Sequence, residues 1–421
     1  MALSRQSGLP RSIIALGAVL TLVACGGSSS PTAPTPIEQL PRALTVNEQQ
    51  LIAQSNGFAF ALFQQVAGEA PDSNLFLSPL SASMALGMTM NGAEGSTLDA
   101  MRSTLGFSSM TVPDADTAYQ SLISLLRGLD PHVDFQIANA IWYRQGFNVE
   151  ANFLQTDKQY FDATVQGLDF DSPSAVKTIN AWVSTSTKGK IDEIVDSPID
   201  PNTMMFLTNA MYFKGAWLYD FDAGKTSSQP FNMADGSSTS VPMMDVPAVT
   251  VRFAAPPGYQ AVELPYGGGA FVMDVVVPTG ATTLDAVVAQ LGDGGWPALL
   301  SSLAPQTGEV QIPRFTLSWG ASLQPALTAL GMGIAFTGGA ADFSGISPSA
   351  GRELFISDVR QQSFVDVNEQ GTTAAAATVV TIGVTSGGAW ALRADRPFLF
   401  VIRERLSGAI LFMGELQRPA A

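Results

Sequence analysis

Residues 369–388 read EQGTTAAAATVVTIGVTSGG, and no proline or charged residue occurs between Thr372 and Leu392. Surface connections normally carry glycine, proline, Asn, Asp or Ser for turn-making. Here Thr, Val and Ile dominate, which are strand formers, and Ala374, Ala375, Ala376 and Ala377 are small enough to enter any sheet. Gly371 can take backbone angles closed to other residues and so serves as a hinge. Alternation puts Thr372, Ala374, Ala376, Thr378, Val380 and Ile382 on one face of such a strand. Thr373, Ala375, Ala377, Val379, Thr381 and Gly383 take the other. Either face suits burial, and by composition alone an ordinary strand already in place is the favoured reading.

Working outward, Thr45-Val46-Asn47-Glu48 has capping-box spacing, and Leu51, Ser55, Phe58, Leu62 and Val66 recur at helical intervals. Ser78-Pro79 supplies a cap and a first-turn proline for a second helix, and Leu98, Met101 and Leu105 before Gly106 repeat the helix-then-glycine pattern. Further helices are expected at 150–161, 174–187, 283–291 and 321–330, the last closed by Gly331. Val133, Phe135 and Ile137 alternate as a half-buried strand does, and Phe271 to Val277 is a continuous apolar run that suits a central strand. Helices early and strands later predict an α+β fold.

The chain begins with Arg5 and Arg11, an apolar run from Ile13 to Val23, then Leu22-Val23-Ala24-Cys25. That order predicts an export signal over 1–24, and the apolar run is short for a bilayer span. Cys25 is the only cysteine of 421 residues, and its setting resembles a bacterial lipobox, which implies lipid attachment at Cys25 and a membrane partner through it. Residues 25–44, rich in Pro, Gly and Ser, are expected to be a tether, and 45–421 a single domain. The expected location is exported, lipid-anchored at the cell envelope or extracellular. The exported body holds no cysteine, so its stability must come from a core rather than disulfides. The whole chain carries −15, and removing Arg5 and Arg11 takes this to −17. Nucleic acid is therefore an unsuitable partner.

No catalytic constellation emerges. His132 is the only histidine and follows Asp130-Pro131 in a predicted turn, which excludes a histidine relay or histidine-rich metal site. Ser184-Thr185-Ser186-Thr187-Lys188 lacks a serine three places before the lysine and reads as a helix end. Tyr266-Gly267-Gly268-Gly269 and Gly331-Met332-Gly333 lack the lysine of a phosphate-cradling loop and read as a hairpin turn and a helix stop. Asp192/Glu193 and similar pairs show no spacing that brings two acids together. No metal, cofactor or enzymatic activity is expected.

Several ordered motifs carry a family resemblance. Asn74-Leu75-Phe76-Leu77-Ser78-Pro79-Leu80-Ser81, Ile179-Asn180 with Thr187-Lys188-Gly189-Lys190-Ile191, Asn209 through Trp217, and Pro313-Arg314-Phe315 come first. The hinge Glu369-Gln370-Gly371-Thr372, Asp395 through Phe400 and Phe412-Met413-Gly414 complete the set, and together they resemble the serpins over nearly the whole body. The resemblance implies three β-sheets with about nine helices and an exposed reactive loop over 369–396. It implies a metastable, monomeric suicide inhibitor of serine or cysteine proteases, cleaved near Thr385–Ser386, whose loop then inserts into the main sheet. It also implies a sheet-opening region at Trp217, Arg314 and Glu369 and a polar cluster behind the sheet at Ser78, Ser81 and Asn209. Gln361 stands in that cluster where the family commonly has histidine, so no histidine-dependent pH gating is expected. The small β-branched Thr385 suits elastase-like or subtilisin-like pockets and not trypsin-like ones. Heparin-like activation is not expected, because 111–130 holds Arg127 as its only base. The alternative is a non-inhibitory serpin acting as a binding or chaperone protein.

Overall fold

The structure, a computed structural model, describes residues 35–372 and 390–419. These residues lie in one compact unit. Its helices are α1 (Val46–Glu69), α2 (Pro79–Met90), α3 (Gly95–Thr104), α4 (Val112–Leu126), α5 (Ala151–Phe161), α6 (Pro173–Ser186), α7 (Leu284–Gln290), α8 (Trp296–Ser302) and α9 (Gln324–Leu327). The capping box at Thr45/Glu48 forms as expected, and Ser78 caps α2 with Pro79 in its first turn. None of these helices is long and apolar enough to cross a membrane.

The helix expected at 321–330 is shorter than its pattern suggested. Ser322 is still paired in a strand with Arg360, the Leu323 amide bonds the Val359 carbonyl, and regular α-helix covers only Gln324–Leu327. Sheet pairing has overridden local propensity there. Gly331, at φ 108°, does break the helical turn that follows.

The strands are β1 (Leu75–Leu77), β2 (Val133–Arg144), β3 (Thr164–Leu168), β4 (Met205–Ala216), β5 (Ser227–Asn232), β6 (Ser238–Ala254), β7 (Tyr259–Tyr266), β8 (Phe271–Pro278), β9 (Ala304–Pro313), β10 (Phe315–Ser322), β11 (Arg360–Asn368), β12 (Gly371–Thr372), β13 (Ala391–Arg393), β14 (Phe398–Glu404) and β15 (Ile410–Leu416). The apolar run at Phe271 is β8, buried along its whole length between β7 and β14. The three sheets implied by the resemblance form two hydrogen-bonded networks. The long strand β6 pairs with β5 and β9 and then, over its last three residues, with β7, which joins two of the three.

The other network has the order β10-β11-β12-β4-β2-β3. β12 contributes only two residues, antiparallel to β11 on one side (Thr372 opposite Val367) and to β4 on the other (Thr372 opposite Gly215). Below this wedge, among the described residues, β4 is paired only with β2 and β11 only with β10. Two long inner strands thus face each other unpaired, an arrangement that leaves backbone groups without ladder partners.

The body extends further toward the N-terminus than the expected boundary at Thr45. The Ile37 amide bonds the Gly268 carbonyl at 2.8 Å, and Arg405 holds the Ile37 carbonyl at 2.6 Å. Arg42 pairs with the buried Glu48 carboxylate and reaches Ser121 on α4. Ile37 and Leu44 pack on the core, so the part of the tether from Thr35 onward is docked by side chains that composition did not flag. The export segment and Cys25 lie outside the described residues.

Candidate functional site

β4 ends at Ala216, and Trp217 turns away from it at the mouth of the unpaired gap. Its backbone amide bonds the Gln370 carbonyl at 3.0 Å and its indole Nε1 donates to the Asn368 carbonyl at 2.9 Å. Glu369 is 3 % exposed, and its carboxylate is gripped by Arg314, Nε to Oε2 at 3.1 Å, and by the Thr226 hydroxyl at 2.7 Å. Burial works to raise the Glu369 pKa, but the Arg314 and Thr226 hydrogen bonds outweigh it and hold the carboxyl below its ordinary range. Trp217, Arg314 and Glu369 therefore meet at the mouth of the gap.

Thr372 is tied to the second sheet as well. Its hydroxyl shares a 2.6 Å hydrogen bond with Tyr266, whose ring stacks on Trp217 at 4.4 Å. Gly371 is needed for this close approach. At φ 140° a side chain is strained, and a Cβ there would stand 2.1 Å from the Gly215 carbonyl oxygen. Tyr266 had been read only as the start of a hairpin turn and Thr226 not at all, because nothing local marks a tyrosine in a hairpin strand as a hinge contact.

Beneath the wedge lies an open cleft of about 370 Å³, counting solvent at its mouth, lined among others by Phe76, Met211, Phe213, Val365, Thr372 and Phe412. The expected polar cluster divides in two across it. On the β11 side the Gln361 amide accepts from the Ser78 backbone N–H at 3.0 Å and donates to the Ser78 carbonyl at 2.8 Å, while the Ser78 hydroxyl caps Ser81. On the β4 side Asn209 donates to Asn139 at 2.6 Å, and Asn139 donates to the Phe161 carbonyl at the end of α5. Asn209 Oδ1 is buried without a partner among the described residues. So Ser78, Ser81 and Gln361 come together, and Asn209 does not bond to them.

The turn after α6 crosses the same gap. Lys188 pairs with Asp134 on β2 and lies over the Tyr212 ring on β4 at 5.3 Å, while Lys190 lies over Phe364 on β11 at 4.8 Å. Asp196 pairs with Arg360 at 2.5 Å. This segment grips both lips through cation–π and ionic contacts. The Ser184–Lys188 run had been read as a helix end, and α6 does end at Ser186 with Lys188 and Gly189 at positive φ.

At the far end of the loop, Trp390 stacks on Phe253 at 4.0 Å and 5°, and β13 pairs in parallel with β9. Gly308 makes room for the ring, since a Cβ there would stand 2.2 Å from it. Ala374, Ala375, Ala376, Ala377, Thr385 and Ser386 lie outside the described residues.

His132 sits in a turn, its backbone amide bonded to Asp130 at 3.0 Å. Arg127 is engaged by Asp162 and the Ile137 carbonyl. No group of three or more His, Cys, Asp or Glu side chains suited to a metal ion occurs among the described residues.

Comparison with known proteins agrees with this geometry. The family model for serpins, serine protease inhibitors, matches residues 53–419. Serpin B11 of Homo sapiens is 32 % identical, covering 86 % of this chain and 97 % of its own, and the leukocyte elastase inhibitor of Xenopus laevis is 33 % identical, covering 88 % and 100 %. The native crystal structure of the thermophilic serpin tengpin superposes with a TM-score of 0.80 at 26 % identity, over 92 % of this chain and 97 % of tengpin. Native protease nexin-1 with heparin gives 0.77 at 28 % identity, over 88 % and 100 %. With the motifs in order, the wedge strand seated between two parted strands and a family match over nearly the whole described body, the chain belongs to the serpin family.

Proposed function

We propose that this serpin is a suicide-substrate inhibitor, not an enzyme, and that the loop after Thr372 becomes the missing strand between β4 and β11 once it is cut. The observation that carries this is the two-residue β12, already antiparallel to both lips. Continuing its register moves each further residue one place down both strands. Ala374 then falls between Phe213 and Val365, Ala376 between Met211 and Ser363, and Thr378 between Asn209 and Gln361. Thr372 is 2 % exposed and faces Tyr266, so the even-numbered residues follow it inward.

A target protease attacks the Thr385 carbonyl with its serine or cysteine nucleophile, and the Ser386 amine leaves. The freed strand of about fourteen residues spans roughly 45 Å at about 3.3 Å per residue, carrying the acylated protease with it. Displacement from the oxyanion hole and base then stalls deacylation. No cofactor enters this scheme. Thr385 fits elastase-like or subtilisin-like proteases, and the Glu369-Gly371 hinge with its alanines favours insertion over a carrier role.

Cys25 serves in this reading as the lipid attachment after export. A Cys25→Ser chain that still labels with radioactive palmitate would remove that part.

The body from Thr35 onward is mixed with elastase-like, subtilisin-like and trypsin-like proteases, and denaturant-resistant complexes are sought. A complex with the first two, with Ser386 as the new N-terminus, is expected. Clean cleavage without a complex would leave the non-inhibitory reading.

A further inference from the structure

Away from the gap, α2, α4 and α5 bury a pair of carboxylates with no basic partner among the described residues. Asp116 on α4 is 3 % exposed and Asp157 on α5 is 0 % exposed. The Asn91 amide at the end of α2 donates to both, at 3.2 Å to Asp116 Oδ1 and 2.9 Å to Asp157 Oδ1. Asp157 Oδ2 is buried with no hydrogen-bond partner among the described residues.

The surrounding charges do not compensate. α2 carries no titratable side chain, Glu48 on α1 is tied to Arg42, and Asp114 on α4 bonds Thr111 and Asn47. Tyr119 on α4 is neutral and bonded to Ser83, while Glu69 and Lys158, on α1 and α5, are exposed. Two ionised carboxylates sharing one amide in a dry helix junction repel each other and forfeit hydration. An unbonded carboxyl oxygen in that setting is where a proton belongs.

We infer that Asp116 and Asp157 hold a proton between three helices, and that losing it loosens the α2–α4–α5 junction as pH rises. The direction of the shifts agrees: burial pushes Asp116 up to about 7, and burial with the neighbouring Asp116 charge pushes Asp157 well above its ordinary value. A carboxyl raised in the folded state costs nothing below the unfolded pKa of about 4, and its penalty grows as pH climbs through the folded value. The junction also touches the gap. Asp157 lies one turn before Phe161, whose carbonyl holds Asn139 and through it Asn209 on β4.

Hydrogen exchange of α4, α5 and β4 amides in the Thr35-onward body, corrected for intrinsic rates, tests this at pH 5.5 and 8.5. The wild type should lose protection in α4 and α5 at least tenfold more than Asp157→Asn or Asp116→Asn between the two pH values. Equal losses in wild type and both variants would overturn the inference. Protection restored to the wild type at pH 8.5 by millimolar Ca²⁺ or Mg²⁺ would also overturn it, marking a cation site instead. This readout does not require a protease, so it stands or falls separately from the inhibitory reading.

Discussion

Arg314 holds the Glu369 carboxylate at the point where β4 and β11 part, with the acid almost fully buried and the guanidinium half exposed. The pair closes the mouth of the gap above the two-residue β12.

Arg314→Ala should leave that buried carboxylate with Thr226 alone, destabilising the native form by about 1–3 kcal/mol, as an unpaired buried acceptor does. Because the Glu369 pKa is lowered in the fold, the contribution is complete above about pH 4.3 and fades as pH falls through the folded value. Urea midpoints of wild type and Arg314→Ala should differ at pH 7 and converge as pH falls below the lowered folded value. A difference that persists in acid would show that the ionised pair is not its source.

The register of β12 gives adjacent loop alanines opposite fates. Ala376→Glu would drive a charge between Met211 and Ser363, and burial of an unpaired carboxylate costs several kcal/mol. Ala375→Glu would fall between Tyr212 and Phe364, where Lys188 and Lys190 lie. The first variant should be consumed as a substrate roughly tenfold or more per complex formed, given that burial cost. The second should inhibit nearly as the wild type does. Measured stoichiometries with the parity reversed would place the inserted strand one residue out of register.

Gln361→Ala should strand the Ser78 N–H in the core and leave its carbonyl with the Ala82 amide alone, at about 1–3 kcal/mol by unfolding in urea. Gln361→His should add a step in inhibition rate near pH 6.5, the ordinary value being about 6.5 for histidine. The wild type has no imidazole there to titrate. The same step in the wild type would contradict the role given to Gln361.

Trp390→Ala should free the C-terminal stem of the loop. Losing its stack on Phe253 removes about 0.5–1.5 kcal/mol beyond the area term. Backbone amides of Ala391–Arg393 should exchange faster while those of β14 stay protected. Unchanged exchange in β13 would mean that its ladder to β9 holds without the indole.

The parts of the site that were legible beforehand are those whose signal is local or whose motif is contiguous. Glu369-Gln370-Gly371-Thr372 announced a hinge because only glycine fits its backbone there, and Trp217, Arg314 and Glu369 arrived in recognisable strings. The contacts made by Tyr266, Asn139, Lys190 and Trp390 were not legible, since each acts through a neighbour more than fifty residues away in sequence or through the pairing of separate strands. Asn209 was grouped with Ser78 by resemblance, yet its hydrogen bond goes to Asn139 because β4 lies directly against β2, with Asn209 opposite Asn139. The Thr35–Leu44 segment looked like a tether because composition records apolar content, not the single isoleucine and arginine that dock it.

The amino-acid sequence by itself determined an α+β body with a single cysteine and so no internal disulfide, and it pointed to a hinge at Gly371. Periodicity, caps and composition depend on neighbours within a few residues, so they survive without a structure. Only the tertiary structure decided that β4 and β11 stand apart, that Thr372 is wedged between them, and which face of the loop would turn inward. Those facts follow from strand pairing across more than a hundred residues, where register is set by the whole sheet and by the buried Tyr266 contact, not by the segment itself.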